Sequence, residues 1–178
     1  MRYFLMVCVV FFSSQTAFAS DSFFGIPRLN GVEPVFNSNY QSSCGECHFA
    51  YFPGLLPGRS WQKLMQAKAL ENHFGEDAEL EEPDRLEILN FLTGHAADNS
   101  PYQRSIKIIR SLKADSTPLR ITQVPYIHRK HSEIPVRLIK GNKKVRSLSN
   151  CTKCHTQAKE KGIFDDDTVF IPGHGAWD

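Results

Sequence analysis

No apolar run in this sequence is long enough to cross a bilayer, and no tract is of low complexity. A spanning helix needs about 20 consecutive apolar residues, so a multi-span membrane protein is excluded. A hydrophobic fraction of 41% likewise excludes a mostly disordered chain. Net charge is nearly absent: 21 Lys and Arg against 19 Asp and Glu leave +2, which does not describe a dedicated nucleic-acid binder. Methionine is scarce at three, and cysteine is confined to five positions in 178 residues. What remains is a soluble globular chain with room for one medium domain or two small ones.

The first nineteen residues read as a signal peptide. Arg2 supplies the positive start, Tyr3 to Phe12 form an apolar run, and Ala17-Phe18-Ala19 fits the small-x-small cleavage rule. Ten apolar residues cover about half of a bilayer core, so no stable membrane anchor is expected. The expected mature chain starts near Ser20 and is exported, in a bacterium to the periplasm. It then keeps four cysteines, Cys44, Cys47, Cys151 and Cys154, and one methionine, Met65.

Those four cysteines form two copies of one pattern, Cys44-Gly-Glu-Cys47-His48 and Cys151-Thr-Lys-Cys154-His155. C-x-x-C-H is the attachment pattern of c-type haem. Two thiols three positions apart on one turn can reach the two vinyl groups of a porphyrin as thioethers. The adjacent His then presents its imidazole to the iron from the proximal side. A four-cysteine zinc site needs no His after each pair. A thioredoxin-like pair would sit in a βαβ unit, which neither motif does. Two disulfides would leave His48 and His155 unexplained. The motifs therefore predict two covalently bound haem c groups, with Cys44, Cys47, Cys151 and Cys154 as thioether residues and His48 and His155 as proximal iron ligands.

Charge divides the chain near Ser100-Pro101. Residues 20–99 carry 5 basic and 12 acidic side chains, and residues 100–178 carry 15 and 7. Each part holds one motif, which predicts two small haem c domains, an acidic one at 20–99 and a basic one at 100–178, mostly α with irregular loops. About 80 residues make a thin core, and a tethered haem would staple it. Expected helices run from Ser60 as N-cap to Asn72, from Pro83 to Thr93 with Gly94 as stop, and from Tyr102 to Lys113 with Ile106, Ile109 and Leu112 inward. Short helices are expected to carry the first motif and, over Ser149 to Lys161, the second.

The sixth iron position separates carriers from haem enzymes. Candidates are Met65, read as core packing in the Trp61 helix, and five further histidines. His73 precedes the sharp turn Phe74-Gly75. His95 follows Gly94 and reads as a capping residue. His128 and His131 share a helical face, and His174 lies near the end of the chain, where a mobile tail is expected.

The stretches Cys47 to Trp61, His73 to Ala78, Arg120-Ile-Thr, Lys130 to Ile134 and Asn150 to His155 resemble the bacterial dihaem cytochrome c family. The resemblance implies two six-coordinate haems with paired His ligands, and it assigns the distal positions to His73 and His131; His128 stays as runner-up from its place on the same helical face, not from the resemblance. It also implies an electron carrier working between redox proteins, a membrane b-type cytochrome and a small monohaem cytochrome among them. The competing expectation is a small peroxidase, reductase or gas-binding protein with one open iron. Its distal acid/base pair would be His128 with Glu133.

Overall fold

The computed structural model describes residues 22–23, 26–27 and 29–177. The expected signal peptide lies outside the described residues. Helices dominate, joined by irregular loops, as the sequence implies. The strands are two-residue pairs, β1 (Ser22–Phe23) with β2 (Ile26–Pro27) and β3 (Phe170–Ile171) with β4 (Gly175–Ala176), both antiparallel.

Helix α1 (Ser38–Cys44) is capped by Asn37, whose side chain accepts the Tyr40 N–H. It ends at the first attachment cysteine, so the rest of that motif turns away through Gly45 rather than riding on the helix. The expected helix over 60–72 is two pieces, α2 (Gly58–Leu64) and α3 (Ala67–Leu70), separated by an extended Gln66. Neither proline nor glycine breaks it. Arg85, from the next helix, donates to the Met65 carbonyl at 2.7 Å and takes the place of continuing helical bonds there. Nor is Ser60 the N-cap: it is fully buried inside α2, and Asp98 reaches across to accept the Gly58 N–H.

Helix α4 (Glu82–Gly94) has Pro83 in its first turn, where a missing N–H costs nothing, and buries Ile88 and Leu92. Leu86 is exposed. Helix α5 (Gln103–Ser111) turns Ser105 and Ile108 fully inward, while Ile106, Ile109 and Leu112 flank them half-buried. Helices α6 (Pro125–His131) and α7 (Val136–Ile139) follow. The expected helix over 149–161 is a single 3-10 turn at Cys151–Lys153 and a short α8 (Ala158–Lys161). Between them His155 bridges to Val169, and the Phe170 N–H takes the Cys154 carbonyl at 3.0 Å, which draws the motif against the β3–β4 hairpin.

The main apolar cluster joins Phe52, Leu55, Leu56, Trp61, Ile88 and Leu92 to Ile108, Val124, Tyr126 and Phe164, so it draws on both sides of Ser100. The Trp61 indole N–H donates to the Pro53 carbonyl at 2.8 Å, which satisfies the polar end of a buried ring. A smaller cluster of Val145, Val169 and Ile171 backs the second motif, with Cys154 against it.

Candidate functional site

Each attachment motif opens onto its own cavity. The first, about 330 Å³, is walled by Cys44, Cys47 and His48 on one side and His73 on the other, with Trp61 and Met65 in its lining. The second, about 290 Å³, is walled by Cys151, Cys154 and His155, with His131 and Phe164. Cys151, Ile121 and Thr122 line both, so the two spaces share a wall.

All four thiols are free. Burial pushes the Cys44 and Cys151 thiols up to about 11 and raises Cys154 as well, so they stay protonated at neutral pH. Cysteines thus line each cavity wall without being drawn into a disulfide.

Across each cavity two imidazoles face one another. The ring centroids of His48 and His73 are 6.4 Å apart, with planes 29° from parallel; those of His131 and His155 are 6.0 Å apart at 75°. A metal bonded to one nitrogen of each ring, at about 2 Å per bond, separates the ring centres by about 6 Å. Among the described residues no group of three or more His, Cys, Asp or Glu is gathered to hold a metal ion. Two opposed imidazoles with no third protein donor suit a metal whose remaining ligands come from a macrocycle.

The protonation pattern agrees. His48 Nδ1 lies 2.8 Å from the Phe49 carbonyl and His131 Nδ1 2.8 Å from the Ile127 carbonyl. A carbonyl only accepts, so Nδ1 carries the proton and Nε2 keeps its lone pair for a metal. Burial, with His131 and Arg104 nearby, lowers His155 to about 4 and keeps it neutral; its buried Nδ1 has no partner among the described residues. Burial also lowers His73, and His48 and Arg120 add to the effect. The lowering at His73 and His155 favours the neutral imidazole, the form that binds a metal.

Of the other candidates, Met65 and His128 also line a cavity, whereas His95 and His174 fall elsewhere. Met65 is a buried residue of the main cluster that also lines the first cavity. His128 is exposed at the rim of the second cavity, one turn before His131. His95 caps α4 and lies 3.3 Å from Glu33. His174 is not on a loose tail: it sits in the β3–β4 turn, its N–H bonded to the Ile171 carbonyl, its ring beside Trp177.

Three side chains escaped the sequence reading. Tyr51 stacks on His48, centroids 4.9 Å apart, and donates its hydroxyl to the Ser149 carbonyl at 2.6 Å. Arg104 lies largely buried beside the second cavity, paired with Asp165 at 2.9 Å and bonded to the Tyr126 hydroxyl, with its Nε left unpartnered. Arg120 stacks its guanidinium on the Phe74 ring at 3.8 Å. Apart from the Tyr51–His48 stack, each partnership joins residues far apart in sequence.

Residues 40–164 match the family described as Dihaem cytochrome c. The chain is similar to the X-ray structure of a diheme cytochrome type c from Shewanella baltica, with 42% identity and a TM-score of 0.65 over 80% of this chain and 98% of that one. It is also similar to a diheme cytochrome c from Rhodobacter sphaeroides, with 44% identity and a TM-score of 0.64 over 75% and 99%. Nothing matches among curated proteins.

Proposed function

Because the chain belongs to the dihaem cytochrome c family, binding two haem c groups covalently, we propose that it is an electron carrier whose irons are closed on both faces by histidine. His48 and His73 would hold the first iron, His155 and His131 the second. The observation that carries this is the pair of opposed imidazoles, 6.4 and 6.0 Å apart. When bound, each haem supplies a one-electron Fe(III)/Fe(II) couple. The protein's own part is to orient the imidazoles through the Phe49 and Ile127 carbonyls and to keep water from the apolar lining.

The same reading places one haem in each of two units, 20–99 and 100–178, in an exported, periplasmic protein cleaved after Ala19. No helix of the described residues is long and apolar enough to cross a membrane. Its partners would be redox proteins, a membrane b-type cytochrome and a small monohaem cytochrome c. Supporting a charged partner, Lys140, Lys143, Lys144, Arg146 and Lys153 are all exposed and join no ion pair among the described residues.

The test is the optical spectrum of the dithionite-reduced, haem-loaded protein before and after carbon monoxide. An unchanged spectrum supports two closed irons. A shift in about half of the Soret band, the outcome against this reading, means one iron is open and favours a small haem enzyme or gas-binding protein. His131→Ala should open the second iron to carbon monoxide, whereas His128→Ala should leave it closed.

A further inference from the structure

We propose that Arg120 is a positioning residue for His73, acting through the ring of Phe74 to hold the imidazole in place across the first cavity. The proposal rests on the reading of His73 as an iron ligand.

Two of the four facing histidines, His73 and His155, make no ring hydrogen bond among the described residues, and each sits in an isolated bridge, to Glu76 and to Val169. His48 and His131 are fixed by an Nδ1–H bond to a neighbouring carbonyl, and His155 is seated against Phe164 in a strand bridge. The His73 ring makes no hydrogen bond among the described residues, and its orientation is left to packing and to its turn.

That turn is tight. The His73 N–H donates to the Glu76 carbonyl at 2.7 Å, the Phe74 N–H to the Asn72 carbonyl at 2.9 Å, and the Gly75 N–H to the Asn72 side chain at 2.9 Å. It forces Phe74 to φ 59°, a left-handed conformation that a bulky aromatic residue rarely takes. The ring it turns outward is 46% exposed, so burial of Phe74 does not explain the strain. Two contacts do: the ring meets His73 at 4.8 Å, and the Arg120 guanidinium covers it at 3.8 Å. Strained residues of this kind persist where surrounding contacts hold them and cluster at ligand clamps. Arg120 reaches the turn from the segment before the 3-10 turn at Ile121–Gln123, and both Arg120 and Ile121 line the cavity. Arg120, Phe74 and His73 are therefore a run of contacts, guanidinium over ring and ring edge-on to imidazole, beside the space where the first iron belongs.

Carbon monoxide reactivity reads this directly. In the haem-loaded, reduced protein, Arg120→Gln should admit carbon monoxide at one of the two haems, at least tenfold faster than wild type. Arg120→Lys, which keeps a cation over the ring, should restore most of the closure. Phe74→Leu keeps apolar bulk beside His73 but removes the aromatic face, and it should behave like Arg120→Gln. If Arg120→Gln and Phe74→Leu both load two haems and remain as closed as wild type, the positioning role is overturned. It is equally overturned if Arg120→Lys opens the iron as fully as Arg120→Gln. Wild-type protein that already binds carbon monoxide at the first haem would instead defeat the ligand assignment on which the proposal stands.

Discussion

Tyr51 touches the machinery of both attachment sites: its ring lies along His48, and its hydroxyl ends on the backbone two residues before Cys151. Burial pushes its phenol up to about 12. Tyr40, whose hydroxyl donates to the Tyr51 carbonyl at 2.8 Å, is raised by burial as well. An unfolded tyrosine releases its proton near pH 10, whereas folded Tyr51 retains it to about 12. Across that window the unfolded chain binds fewer protons, so stability falls as pH rises. Tyr51→Phe should flatten part of this alkaline loss in denaturation midpoints measured across the window. At neutral pH it should cost roughly 0.5–1.5 kcal/mol for the missing bond to Ser149. An unchanged alkaline slope would show that Tyr51 does not carry it. Nothing around Tyr51 in the sequence announces this role, because its partner lies 98 positions away. The attachment cysteines and their histidines, by contrast, are legible from five consecutive residues.

At the scale of elements, two glycines make opposite demands. Gly162 ends α8 in the left-handed region, at φ 64°, and a Cβ there would strike the Val32 carbonyl. The Val32 N–H already donates to the Gly162 carbonyl at 2.9 Å, which clasps the start of the described fold to the loop behind the second motif. Gly162→Ala should therefore destabilise by about 2 kcal/mol or more. Gly94, the last residue of α4, has open space where a Cβ would go and no positive φ. Gly94→Ala should stabilise by about 0.4–1 kcal/mol, by removing freedom from the unfolded chain. Thermal midpoints of the two variants should move in opposite directions, and movement in the same direction would refute the cap argument. The sequence anticipates α4 and α5 to within about two residues, since their apolar spacing and Pro83 are local signals. It misses the break after Leu64 because the cause is the Arg85 guanidinium, brought from α4. It overextends the second motif's helix because the competing bonds come from Val169 and Phe170, beyond the segment itself.

On the scale of the whole molecule, a net charge of +2 conceals an acidic part and a basic part. The two cavities meet at Cys151, Ile121 and Thr122. The basic pole carries exposed cations beside its cavity: Val145 lines the second cavity, and Lys143 and Lys144 are exposed immediately before it and join no ion pair among the described residues. Such fields change association rates by ten- to a thousandfold, and salt removes them. Reversal of two charges, Lys143→Glu with Lys144→Glu, should slow reduction of the second haem by an anionic small reductant about tenfold at low salt, with a matched cationic reductant accelerated instead. The differences should vanish near 1 M salt, where the screening length falls to about 3 Å. If the two reductants respond alike to the reversal, or if the effect survives high salt, the basic pole does not steer electrons. A wild-type rate to both reagents that ignores ionic strength would remove charge from the account altogether, leaving the exposed cavity rims alone to decide which partner docks.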